Sequence, residues 1–99
     1  MVKYELDNGE DMHANAPDTF YLPPLETRTN LKPNDIVKLV FRIEHDAGFD
    51  VERMWVQVKS TSPTGYIGIL DNDPYFTKEL SAGAVVEFEP KHVIQIHES

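Results

Sequence analysis

From Ile36 onward the chain alternates. Val37, Leu39, Phe41 and Ile43 are apolar, the positions between them are Lys38, Arg42 and Glu44, and Val40 is the one break in the pattern. A period of two is the signature of a strand with one buried face, so this run predicts a strand over 36–44. Ala47-Gly48-Phe49-Asp50 reads as a turn. After it, Met54, Val56 and Val58 alternate with Arg53, Trp55, Gln57 and Lys59, which predicts a second strand over 52–60 and a hairpin joining the two. Ser60-Thr61-Ser62-Pro63-Thr64-Gly65 carries loop chemistry, and Tyr66 to Leu70 reads as a third strand, with Gly68 marking a bend or a close approach. Asp71-Asn72-Asp73-Pro74 ends it, because proline has no ladder donor and Asx residues favour turns. One helical turn is expected over Tyr75 to Leu80, then strands over 84–89 and 92–96 on either side of Glu89-Pro90-Lys91.

The first part of the chain lacks such periods. Residues 1–18 hold few large apolar side chains and the acidic cluster Asp7-Asn8-Gly9-Glu10-Asp11, and they read as a flexible acidic leader ahead of one domain over 19–99. Phe20-Tyr21-Leu22-Pro23-Pro24-Leu25 places large apolar residues around a diproline, which favours an extended arm lying against the domain. A single helical turn is expected between Leu25 and Asn30. There is also a faint internal echo: Leu31 to Val37 and Leu80 to Val86 share a leucine, a turn residue three places on and an aliphatic pair. It reads as the same turn chemistry leading into two strands.

Five short antiparallel strands, each with one apolar face, close most economically into a small barrel. The expected fold class is therefore mainly β with minor α, a small five-stranded SH3-like barrel or strongly bent sheet with an extended N-terminal arm. With 99 residues, 40% of them hydrophobic, the chain has material for one core and no second domain.

Charge and composition narrow the partners. The net charge is −8, which repels phosphate backbones, so nucleic acid is not expected as a ligand and a basic protein partner is. The absence of cysteine removes disulfides, thiolate metal sites and thiol nucleophiles. Neither a secretory-type start nor an apolar run of membrane-spanning length is present, so a cytoplasmic monomer without membrane attachment is expected.

Few residues carry candidate chemistry. Asp71, Asn72 and Asp73 offer three consecutive oxygen-bearing side chains, but calcium loops space their ligands alternately and add a distal bidentate acid. A bond from Asp71 or Asn72 back to the turn's own backbone is the plainer reading. His13, His45, His92 and His97 show no ligand-pair spacing, and capping or exposure is expected of them; a metal site assembled in space from His45, Asp46 and His92 is the sharper alternative. Ser60, Thr61, Ser62 and Thr64 lack any nucleophile context. Trp55 is the most informative residue. It falls out of phase with Met54, Val56 and Val58, so it faces away from their core, and either the Phe20-to-Leu25 arm covers it or it binds a partner together with Tyr66 and Tyr75.

Three blocks bear a likeness. Glu52-Arg53-Met54-Trp55-Val56, Gly68-Ile69-Leu70-Asp71-Asn72-Asp73-Pro74 and Gly83-Ala84-Val85-Val86-Glu87-Phe88-Glu89-Pro90-Lys91-His92-Val93, in that order, resemble a bacterial family of small domains of unknown function. The likeness spans roughly residues 19–96. It departs from the family pattern at Asn34, where such turns often hold glycine, and at a last strand that ends in His97-Glu98-Ser99 without an aromatic. Because the family has no assigned activity, the resemblance implies a fold and no mechanism.

The expected function is a non-enzymatic protein-binding module with an acidic, aromatic-bearing face, regulatory or immunity-like in its sharpest version and needing no cofactor. Its candidate binding residues are Glu52, Arg53, Trp55, Tyr66, Asp71, Asn72, Asp73, Tyr75 and His92. The alternative is a small hydrolase or metal-dependent enzyme built on Glu52, Asp71, Asp73 and His92.

Overall fold

The computed structural model describes residues 3–72 and 81–97. Its frame is an antiparallel meander of β1 (Tyr4–Leu6), β2 (Ile36–His45), β3 (Gly48–Ser62), β4 (Gly65–Leu70) and β5 (Val85–Phe88), with β6 (Gln95–Ile96) also paired to β2. Two short helices, α1 (Gly9–Asn15) and α2 (Leu25–Arg28), and a 3₁₀ turn over Pro90–His92 complete it. The sheet curls strongly into a half-barrel. Tyr4 on β1 lies near enough to Glu87 on β5 for that carboxylate, after burial of the ring, to raise the phenol's pKa. Among the described residues no helix is long and apolar enough to cross a membrane.

The concave face is the core. Val37, Leu39, Phe41 and Ile43 of β2 meet Met54, Val56 and Val58 of β3, and Tyr66, Leu70, Val86, Phe88 and Val93 close the cluster. The expected strand pattern holds for all five segments, with shifts of physical origin. Register runs unbroken to His45↔Gly48, so the hairpin turn is only Asp46-Ala47 and β3 starts earlier than the polar Gly48-Phe49-Asp50 stretch suggests. A register shift lies between Val58 and Ser60, and across it Gly68 lets the strands approach. A Cβ there would stand 2.6 Å from the Gln57 carbonyl oxygen and 2.7 Å from Val56 Cγ1. The last strand is shortened to Gln95–Ile96 because Pro90 opens a 3₁₀ turn instead, closed by a reciprocal pair of caps between Glu89 and His92. The turn expected over Tyr75 to Leu80 lies outside the described residues.

The leader expected over 1–18 instead contains two regular elements. Tyr4-Glu5-Leu6 is too short to display a period, yet Tyr4↔Ile43 and Leu6↔Phe41 pairing turns both side chains onto the core. The acidic cluster that follows is a helix start: Asn8 Oδ1 accepts from the Glu10 and Asp11 amides, at 2.9 and 3.2 Å, and both acids sit in the first turn. The two echoing segments are matched turns. Asn34 and Gly83 have φ of 80° and 96°. Each donates its amide to a neighbouring strand, Asn34 to Val58 O and Gly83 to Leu70 O, and the next residue closes the turn onto Lys32 O or Ser81 O. Asparagine tolerates the left-handed region best after glycine, which accounts for Asn34 in the glycine position.

Candidate functional site

The convex face of β2–β3 carries an unusual row of side chains. In register it pairs Glu44 with Phe49, Arg42 with Val51, Val40 with Arg53 and Lys38 with Trp55. Three of these cations lie over aromatic rings. Lys38 Nζ is 4.6 Å from the Trp55 ring, Arg42 Cζ 4.3 Å from Phe49, and Arg53 Cζ 5.6 Å from Phe20 of the arm. Arg42 is also held bidentately by Asp7, at 3.0 and 2.9 Å, and that hydrogen bond raises its pKa further. Arg42 is therefore fixed by β1's end, whereas Arg53 is exposed.

A second layer rises over part of this face. Val40 and Ile94 are buried yet stand outside the main core cluster. Gly9 packs so closely there that a Cβ would lie 2.9 Å from Ile94 Cγ2 and 3.4 Å from Leu22 Cδ1. Arg28 ties this layer together. Although only 4% exposed, it donates from Nε to Pro23 O at 2.7 Å and from Nη1 to Glu10 Oε2 at 2.8 Å and Pro90 O at 3.0 Å, so one guanidinium joins α1, the arm and the 3₁₀ turn. Its own carbonyl accepts from the Tyr66 hydroxyl at 2.7 Å. Nothing in the local sequence distinguishes Arg28 from a surface arginine.

Between the sheet and this layer lies a cleft of about 790 Å³, within the size range of ligand pockets. Arg53 and Trp55 form one wall, Thr19, Phe20, Tyr21, Pro23 and Pro24 of the arm with Thr27 the other, and Ile94 to His97 run along its floor. Trp55 is on the face opposite Met54 and Val56, as its phase implies, and is half-buried. The arm does not seal it. It shares the cleft with Trp55, whose ring meets His97 edge-on at 5.7 Å and Lys38 across its face.

The expected binding residues separate. Arg53 and Trp55 come together in the cleft. Asn72 serves them from behind: its Oδ1 accepts from Trp55 N at 2.6 Å beside the Asp71 N to Trp55 O bond at 2.9 Å. The side chain thus continues β4's ladder with β3 and does not close its own turn as expected. Tyr66 is removed from the candidate set, because its ring is 4% exposed in the core, stacked on Phe88, with its hydroxyl spent on Arg28 O and Leu31 N. Glu52 pairs with Phe41 and shares the core-side phase of Met54, away from Trp55. Asp73 and Tyr75 lie outside the described residues. His92 is a cap: its Nδ1 accepts from Glu89 N at 2.9 Å, and burial holds its pKa below the usual 6.5. His45 pairs with Asp50 at 2.9 Å near the hairpin turn, and among the described residues no three His, Cys, Asp or Glu side chains gather as a metal-holding group.

The cleft differs in charge from the acidic face that was expected. Among the described residues that line the cleft there is no Asp or Glu, but there are Arg53 and His97, with Lys38 stacked on Trp55. No family model, curated protein or solved structure matches the chain.

Proposed function

We propose that the protein is a non-enzymatic protein-binding module whose partner is received in the cleft around Trp55. The observation that carries this reading is the cleft's lining, in which Phe20, Tyr21, Trp55 and two prolines surround an exposed arginine. Aromatic and arginine side chains in a partly desolvated recess are the usual anchors of protein recognition. A regulatory role, in the sharpest case that of an immunity protein occupying its target, is the form this function takes. The overall charge of −8 favours approach by a basic protein, whereas Arg53 in the cleft and Lys38 on Trp55 favour an anionic or apolar segment at the point of contact.

The enzyme alternative draws less support. Glu52 lies on the other face from Trp55, and the Nδ1 of His92 is occupied by the Glu89 amide. A pull-down from the native host with the full chain, Trp55→Ala and Arg53→Glu tests the proposal. Both variants are expected to lose a partner that the unaltered protein retains, with unchanged far-UV spectra. Equal recovery by folded variants overturns it.

A further inference from the structure

The cleft has a feature that aromatic lining alone does not explain. Its floor is four consecutive residues, Ile94 to His97, which happens when a strand presents its edge as well as a face. β6 pairs with β2 and, among the described residues, with no other strand. His97 N donates to Ile36 O at 2.8 Å, and Val37↔Ile96 is the neighbouring pair. Antiparallel ladders alternate, so the N–H and C=O of Ile96 are directed away from β2 and left unpaired by it, and Ile96 is one of the residues that line the cleft.

The opposite wall is built in a complementary way. Leu22 precedes a proline and is restricted to extended backbone. The arm is pinned at two points: Phe20 O is 2.6 Å from His13 Nδ1, and Pro23 O accepts from Arg28 Nε at 2.7 Å. Between these pins, among the described residues, the backbone groups of Tyr21 and Leu22 make no hydrogen bond. Ile96 and Tyr21, each with unpaired backbone groups, therefore border one recess, and Tyr21 is 71% exposed.

Building on the binding-module reading, the geometry points to an extended partner segment of alternating acidic and apolar residues that adds to the edge of β6 within this cleft. Main-chain bonds to Ile96 on one side and to the arm on the other supply the affinity, as in strand addition generally. Alternation follows from the pleat. Positions on the Trp55 face meet Lys38 and Arg53, which select carboxylates, and the positions between share the face of Ile96, which packs on the core. Oligonucleotides share the anionic and stacking chemistry, but a molecule of net charge −8 opposes a polyanion, and a phosphate backbone offers no N–H to the open edge.

The test uses the single tryptophan of the full-length protein. A short capped peptide of alternating Glu and Val should shift Trp55 emission and protect the Tyr21 and Ile96 amides from exchange. N-methylating alternate amides of that peptide should weaken it about tenfold or more, the loss expected from one or two main-chain bonds. Arg53→Glu, an exposed change, should weaken the Glu peptide and favour its Lys counterpart. Equal binding of the Lys and Glu peptides to the unaltered protein, indifference to N-methylation, or preference for oligothymidylate overturns the inference. If none of the peptides binds but Trp55→Ala still loses the host partner, strand addition falls and the binding module stands. If Trp55→Ala keeps that partner, the module reading is what fails.

Discussion

The two faces of the β2–β3 ribbon are built from neighbouring residues under opposite rules. On the concave face Val37, Leu39, Phe41, Met54, Val56 and Val58 are buried almost completely, and their contacts are interchangeable apolar surface. On the convex face Lys38, Arg42, Arg53 and Trp55 stay partly wet, each in a pair with a defined geometry. The first face supplies stability and would do so with other aliphatic residues of similar volume. The second depends on residue type, because each cation–ring pair needs its own charge and ring.

The sharpest way to break this contrast is to truncate one residue on each face. Phe41→Ala removes the largest of the fully buried side chains and leaves a cavity at the centre of the sheet. Its expected cost is about 3–5 kcal/mol, most of the stability of a domain this size. Val51→Ala, on the convex face and 45% exposed, is expected to cost within about 0.5 kcal/mol. Urea titration of the two variants checks the difference. Similar midpoints would mean that the convex face also carries the fold.

The concave face was legible in the sequence because a period of two over residues 36–44, broken only at Val40, suits a one-sided strand and no helix. Asn34 and Gly83 were legible for a related reason, since a left-handed turn position admits few side chains. The second layer was not. β1 is three residues long, below any period, and its partner Ile43 lies far along the chain. The cleft depends on Arg28 reaching Pro90, a pairing that leaves no mark on the residues around either one. Trp55 could be assigned a face from its phase, but the side chains around it come from β2, β3 and the segment after β6. Local pattern reports local geometry, and a cleft between layers is not local.

Arg28 gives the next test, of intermediate size. Arg28→Ala leaves Pro23 O and Pro90 O without their buried donor and frees Glu10, at an expected cost of about 2–3 kcal/mol. The effect should concentrate on the convex side. Amides of α1 and of residues 20–25 should exchange faster and Trp55 emission should move to longer wavelength, while the amides of β2 and β3 keep their relative protection. Removing residues 1–25 outright is a poorer experiment, because it also takes away β1 and its contribution to the core. Uniform loosening of both faces in Arg28→Ala would show that the second layer is not a separable unit.

The smallest expected effect is a dependence on pH through His92, which caps the turn leading to β6. Burial is the largest influence on its ring and lowers its pKa from 6.5; Glu89 opposes that shift and Lys91 adds to it. The folded state thus binds a proton less readily than the unfolded one. Above the unfolded value the ring is neutral in both states, and its cap on the Glu89 amide contributes in full. As pH falls through 6.5 and on through the lower folded value, the unfolded state takes up protons first, so stability declines across that window. Protonation also converts Nδ1 from acceptor to donor and turns the Glu89 N–H···Nδ1 bond into a clash of two donors. His92→Asn, whose side-chain oxygen accepts from the same amide without titrating, should flatten the stability profile between neutral and mildly acidic pH. A profile as steep as that of the unaltered protein would place the titration elsewhere.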